Sequence, residues 1–375
     1  MSDCCGQSGQ EQDHANDPAQ EASQASGPSS PENNAPRISR GVSRRAVLGR
    51  ISGLMGSVAA LAAMPAYAKS AGRDKVTLAF CSQLLCVVPY EVTRAAGFFA
   101  DEDLDVQLVY SRGGGAALQA LHSRGVDYAA TSFDAALGAY ANGANIVRFA
   151  ATGRLPLFAL ASSPAGAEDV TDVSALEGRT IGVAQLGNAD HALALFLLKR
   201  AGVDVDSVQF ATLGPNLYDA LRLGQIDAGM VQEPGLTLLQ EAGGRVLVNL
   251  MDLDHANAYL GGPYAFMGVA ARHDEIEQRS EQMRRVGRAL EAGLRYTKEA
   301  DIDEVVHALP DELVAGGDTK VLTQALDRYR ASLYPSRVVI DRAACERVIE
   351  TQRLAGIENG GVNLDDLLNL SILGA

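Results

Sequence analysis

The stretch Leu176–Gly202, LEGRTIGVAQLGNADHALALFLLKRAG, limits the possible folds more than any other part of the chain. Thr180–Ala184 is a short apolar, β-rich run, Gly187-Asn188-Ala189-Asp190 carries turn and N-cap chemistry, and Ala192–Arg200 reads as a helix that closes on Gly202. A helix starting just past the carboxyl end of a strand presents unbonded backbone N–H groups, and open α/β sheets bind small molecules at that place. The helix is apolar nearly all round from Ala192 to Leu198, so it is expected inside a domain and not on its surface. His191 sits in its first turn, facing the same mouth.

The same unit recurs along the chain. Lys75–Phe80, Leu104–Tyr110, Val126–Thr131 and Ile146–Thr152 read as strands, separated by helices over Val88–Phe99, from the Gly113-Gly114-Gly115 triplet to His122, and over Ser132–Ala141. Leu155–Ser162 is an extended run leaving this group, and the Ser163-Pro164-Ala165-Gly166 turn with the acidic Glu168–Asp172 connection marks a boundary. Val208–Thr212, Ile226–Val231 and Val246–Leu250 then read as strands, with helices over Pro215–Leu223 and Gly235–Gly243. Alternation of this kind with short loops specifies an α/β fold of doubly wound sheets. An internal echo points to two similar lobes: Ala120-Leu121 followed by Gly125, Val126 and Asp127 is matched by Ala220-Leu221 followed by Gly224, Ile226 and Asp227. Tyr264–Ala270 reads as a strand returning to the first lobe, and Ser280–Lys298, Thr319–Ser332 and Arg342–Ala355 as amphipathic helices packed on the core. The expected organisation is residues 69–160 as the first part of lobe I, 161–260 as lobe II, and 261–375 as the return to lobe I.

Residues 1–68 are read as a leader. A Ser-, Gln-, Asn- and Pro-rich run that cannot bury a core is followed by Ser43-Arg44-Arg45-Ala46-Val47-Leu48, a weakly apolar segment Ile51–Met64, and Ala66-Tyr67-Ala68. That order resembles a twin-arginine export signal with cleavage after Ala68, and the apolar segment is too short for a membrane span. The reading predicts a soluble, periplasmic mature protein, exported by the twin-arginine machinery after folding. The leader holds five arginines and six acidic residues, so the −14 of the whole chain becomes −13 without it. Such a charge argues against nucleic acid and anionic membrane as partners. Cys4 and Cys5 leave with the leader; of Cys81, Cys86 and Cys345, the first two lie close in sequence but straddle a strand end, which reads as buried thiols in preference to a disulfide.

The motifs Ala95–Phe99 (AAGFF), the Gly113 triplet, ALHSRGVDYAATS, Gly187-Asn188-x-x-His191, LRLGQIDAGMVQEP and the terminal VNLDDL together resemble the solute-binding proteins of the sulfonate, nitrate, taurine and thiamine-precursor ABC transporter family. The resemblance runs from about Val76 to Leu367 and implies a two-lobed periplasmic-binding-protein fold of type II. Each lobe would be a doubly wound mixed sheet, joined to the other by two crossing strands. It also implies a small-molecule ligand in the cleft, hinge closure, and delivery to an ABC permease and its ATPase, with the binding protein a monomer and without cofactor.

Candidate ligand contacts then lie where strands end: Ser82 and Gln83, Ser132 and Phe133, Thr152, Gly187, Asn188 and His191, Glu233, and Tyr264. Ser82, Ser132 and Asn188 are equally good helix caps, and the glycine triplet is either a tight turn or an anion-binding nest. His191 donates to a ligand or caps its helix, and no second ligand at metal spacing accompanies it. Phe133 and Tyr264 sandwich a planar ligand or pack the hinge. Glu233 bears most on ligand type: a carboxylate in the cleft repels a sulfonate and accepts hydrogen bonds from an amine or amidine, tilting the expectation towards a nitrogen-bearing planar ligand such as a pyrimidine. Otherwise it caps the helix that follows Pro234. Two other functions compete. Fungal enzymes of the same family make the thiamine pyrimidine, but they carry a compact cysteine cluster that Cys81 and Cys86, with four residues between them, do not reproduce; no catalytic residues are expected. A ligand-sensing protein without a transport role would look the same in sequence.

Overall fold

In the computed structural model, residues 72–82, 84–311, 319–357 and 360–374 are described; the leader and Gln83 lie outside them. β1 (Asp74–Cys81), α1 (Leu84–Ala95), α2 (Phe98–Asp101), β2 (Leu104–Ser111), α3 (Gly114–His122), β3 (Tyr128–Ser132), α4 (Phe133–Ala141) and β4 (Ile146–Ala151) build lobe I. Lobe II contains β5 (Ala159–Ser162), β6 (Thr180–Val183), α5 (Ala189–Arg200), β7 (Gln209–Thr212), α6 (Leu217–Arg222), β8 (Ala228–Val231), α7 (Gly235–Glu241) and β9 (Val246–Asn249). α8 (Leu253–Leu260), β10 (Met267–Arg272) and α9 (Ile276–Glu299) then return the chain to lobe I, followed by further helices at Thr319–Leu333 and Arg342–Ala355.

The sheets have orders β2-β1-β3-β10-β4 and β7-β6-β8-β5-β9. They are the same arrangement built twice. β1, β2 and β3 are parallel, as are β6, β7 and β8; the antiparallel member is in each case a strand entering from the other lobe, β10 between β3 and β4, and β5 between β8 and β9. This is the two-lobed α/β fold with mixed sheets that the sequence leads one to expect. The crossing segments are shorter as strands than their apolar runs suggest. Leu155–Phe158 lies outside β5 and Tyr264–Phe266 outside β10, and beside them the two crossing segments bond to each other: Thr152 N and Gly153 N donate to Met267 O, and Tyr264 N donates to Arg154 O.

The internal echo has a physical basis. Asp127 accepts hydrogen bonds from Thr77 N at 2.7 Å and Thr77 Oγ1 at 2.8 Å, and Asp227 accepts from Thr180 N at 2.9 Å. Each carboxylate thereby ties the helix-to-strand connection to the first parallel strand of its lobe. An arginine neighbours each, Arg279 at 2.7 Å from Asp127 and Arg179 at 3.2 Å from Asp227. The helix stop differs from the sequence reading, since the left-handed residue matching Gly224 (φ 69°) is Arg124 (φ 61°), and Gly125 follows it.

Helix α1 begins at Leu84, four residues before the expected Val88. Pro89 lies inside it and cannot donate to Leu85 O; the Tyr334 hydroxyl occupies that carbonyl instead, at 2.8 Å, so the proline costs no buried acceptor. On its other side α1 meets α9 so closely that a Cβ on Gly293 would stand 1.9 Å from Thr93 Oγ1.

Candidate functional site

The carboxyl ends of both sets of parallel strands face one cleft, whose floor is formed by Phe158 and Phe266 from the two crossing segments. Their rings meet edge to face with centroids 5.8 Å apart. A cavity of about 70 Å³ lies between the lobes, lined by Cys81, Gly113, Gly114 and Ser132 from lobe I and by Gly187–Asp190 from lobe II. Beyond Phe158 a more open chamber of about 400 Å³ is lined by Ser82 and Leu84 on one side and Pro215, Tyr218, Met230 and Gln232 on the other. A small polar recess thus adjoins a larger, mostly apolar one.

Helix starts supply most of the polar lining. The N-cap of α3 is Gly113, with φ 92° and no side chain to cap the first turn, so the N–H groups there remain available. Gly114 is packed, with a built Cβ 3.1 Å from that of Ala135, whereas a side chain on Gly115 would meet nothing. Ser132 caps α4 by accepting from Ala135 N at 3.2 Å, which leaves its own hydroxyl proton for another acceptor. The Asn188 side chain, at the N-cap of α5, caps nothing. Asp190, only 1% exposed, fills the first turn of α5, accepts from Ala184 N at 2.5 Å, and is pushed up to about 6 by burial.

Of the candidate residues, Ser82, Ser132, Gly187 and Asn188 line the cleft. Gln83 lies outside the described residues, and the remaining candidates are placed elsewhere or folded on themselves. His191 Nδ1 accepts from Gly187 N at 3.2 Å and its ring stands against Phe210, so it closes its own loop; burial lowers its pKa. Phe133 is fully buried beneath the Arg148 guanidinium, 5.5 Å from its centroid. Thr152 is buried with its hydroxyl 2.7 Å from that of Tyr90, and the Tyr264 hydroxyl donates to Asp134 Oδ1 at 3.0 Å. These three brace the hinge, because strand ends that meet the crossing segments turn inward. Glu233 is 3% exposed and its carboxylate accepts from Thr237 N at 3.0 Å and Thr237 Oγ1 at 3.1 Å. It caps α7, and the observation that tilted the ligand towards an amine or amidine is thereby removed.

Sequence reasoning passed over Asp190, Phe158, Phe266 and the Pro215–Tyr218 segment. The last follows the end of β7 and opens α6, so the strand-end rule would have found it. The hinge phenylalanines carried no such signal, being ordinary apolar residues in apolar runs.

Residues 87–301 match the family model described as NMT1/THI5 like. The chain belongs to the NMT1/THI5-like family. No curated protein matches it in sequence. Among solved structures, it is similar to a protein of Bordetella bronchiseptica RB50, at TM-score 0.71 and 23% identity over 80% of this chain and 96% of that one. A Candida albicans protein that exhibits the generic periplasmic binding protein fold gives TM-score 0.62 and 20% identity, over 79% and 96% of the two chains. The periplasmic aliphatic sulphonate binding protein SsuA of Escherichia coli gives TM-score 0.64 and 17% identity, over 78% and 91%. This NMT1/THI5-like protein therefore has the periplasmic-binding-protein fold, with the cleft in the position where such two-lobed α/β folds place a ligand. Among its described residues no helix is long and apolar enough to cross a membrane.

Proposed function

We propose that this protein is the extracytoplasmic solute-binding component of an ABC-type importer, and that its solute is a small organic molecule with an anionic head. The observation that carries the ligand class is the uncapped start of α3 at Gly113 and Gly114, opening on the small recess beside the Ser132 hydroxyl. Free N–H groups at a helix start favour a sulfonate or carboxylate, and the larger chamber takes an apolar tail. Family membership and fold support the binding role, and the aliphatic sulphonate of the E. coli sulphonate-binding protein fits the same chemistry. The twin-arginine leader, with cleavage after Ala68, supports delivery outside the cytoplasm to a permease and its ATPase. Ser82, Ser132, Gly187 and Asn188 are the ligand contacts in this reading, and contacts with both lobes draw the cleft closed.

The test is calorimetric titration of the full chain with alkanesulfonates, taurine, short carboxylates, nitrate and aminopyrimidines. Asn188→Asp is the diagnostic variant. The change is isosteric, aspartate suits an N-cap as well as asparagine does, and Asn188 lines the recess, so folding is kept while a negative charge opposes the anion there. Binding of sulfonates or carboxylates that this variant weakens at least tenfold supports the proposal. Binding confined to aminopyrimidines, or anion binding indifferent to Asn188→Asp, overturns the ligand class.

A further inference from the structure

Three sulfur atoms meet beneath the small recess. Cys81 ends β1, Cys86 lies in the first turn of α1, and Met267 begins β10. Cys86 Sγ is 3.3 Å from Met267 Sδ, and the Cys81 and Cys86 side chains are hydrogen-bond partners. All three residues are buried, neither cysteine is in a disulfide, and Cys81 and Met267 line the recess. We propose that Cys81, Cys86 and Met267 form a binding site for a soft monovalent metal ion, Cu(I) or Ag(I), reached from the ligand cleft.

The donor set selects the ion. Thiolate and thioether sulfur favour soft, low-charge metals, and Zn(II) in a structural site requires four ligands. Among the described residues no group of three or more His, Cys, Asp or Glu side chains stands ready to hold a metal, so a fourth hard donor is not supplied nearby. Two or three sulfurs suffice for Cu(I). With metal–sulfur bonds of about 2.3 Å, two sulfurs on one trigonal ion stand about 4 Å apart, so the 3.3 Å pair opens by less than an ångström to admit it. Met267 is held in place for this by the hinge, since Thr152 N and Gly153 N both donate to its carbonyl at 2.8 and 3.0 Å.

Charge balance is local. Uptake of one Cu(I) releases the two thiol protons and leaves two thiolates and a thioether on the ion, a net charge of −1. The Arg148 guanidinium stands in the same neighbourhood: its Nη2 donates to Phe266 O at 2.8 Å, one residue before Met267, and Arg148 and Met267 line one cavity. Arg148 is buried with its Nη1 unpartnered among the described residues, so a nearby negative charge relieves an exposed cost instead of creating one. No electron transfer is involved.

The experiment is anaerobic titration of the reduced full chain carrying Cys4→Ser and Cys5→Ser, which removes the leader's own thiol pair, with Cu(I) held by a competing chromophoric chelator. One equivalent bound is expected, retained in Cys345→Ser and lost in Cys86→Ser. Met267→Leu, a volume-conserving change that keeps the fold, weakens binding about tenfold or more. Anaerobic thiol alkylation read by mass spectrometry then shows Cys81 and Cys86 protected by the metal and Cys345 unaffected by it. No uptake by the reduced chain, uptake unchanged in Cys86→Ser and Met267→Leu, or protection that follows Cys345 overturns the site.

Discussion

Replacing Glu233 separates a residue that caps a helix from one that holds a ligand. Its carboxylate makes two hydrogen bonds, to Thr237 N and Thr237 Oγ1, at 3% exposure. Glu233→Ala removes the cap, worth about 1 kcal/mol at a typical N-terminus, and leaves a buried Thr237 N–H without its acceptor, which adds about 1 kcal/mol more. A loss of about 2 kcal/mol lowers the melting temperature by roughly 3 °C in a protein of this size. Glu233→Gln behaves differently. Its amide oxygen still accepts from Thr237 N, its NH₂ donates to Thr237 Oγ1, and the charge that burial opposes is gone. The raised carboxyl pKa means that the folded state holds a proton more readily than the unfolded one, so the natural side chain costs stability as pH rises past its unfolded value, and glutamine does not. Differential scanning calorimetry at pH 7 therefore shows the alanine variant melting a few degrees lower and the glutamine variant melting at or slightly above the natural protein. The shift that a saturating ligand adds is the same in all three. An alanine variant with an unchanged melting temperature and a lost ligand shift refutes this placing of Glu233 and returns it to the binding site.

Further outcomes are expected. Asp190, raised to about 6 by burial beside the recess, opposes an anion once ionised, so affinity for an anion-headed ligand falls as pH rises from 5 to 7.5; calorimetric titration finds that slope flattened in Asp190→Asn. Gly293→Ala forces a methyl to within 1.9 Å of Thr93 Oγ1 and destabilises by about 1–3 kcal/mol, seen in a denaturant midpoint, with partial recovery in the Thr93→Ala double variant. Asp127→Ala and Asp227→Ala, which break matching ties in the two lobes, each cost about 1–3 kcal/mol, and a difference between them larger than that range would show that the match is one of sequence only.

The alternation of strands and helices, the two lobes and the return of the chain were legible because each rests on local pattern. A Gly stop, an apolar run and a strand-end Ser are visible within ten residues of one another. The echo at Asp127 and Asp227 was legible too, since the same carboxylate tie needs the same residue at the same place. What was hidden depends on partners far away in the chain. Whether Phe133, Thr152 or Tyr264 faces a ligand or a neighbour is decided by Arg148, Tyr90 and Asp134, arriving from other elements. Glu233 was ambiguous for a subtler reason: a carboxylate four residues before a threonine on a helix is a local cap, and strand-end position alone does not reveal which way it turns. The Cys86–Met267 contact spans 181 residues and has no sequence signature at all.

The place of β10 in its sheet bears on how the protein is made. β4 pairs within the sheet only with β10, and β10 begins at Met267, so a strand complete at Ala151 waits for more than a hundred further residues to leave the ribosome. Lobe II carries no such debt, because β5 to β9 all fall between Ala159 and Asn249. During synthesis the second lobe is thus the first that can close its sheet, and the first lobe assembles around it afterwards. A nascent chain halted before Met267 exposes an unpaired β4 edge to chaperones and proteases, which makes the late crossing strand the checkpoint for completion of the first lobe.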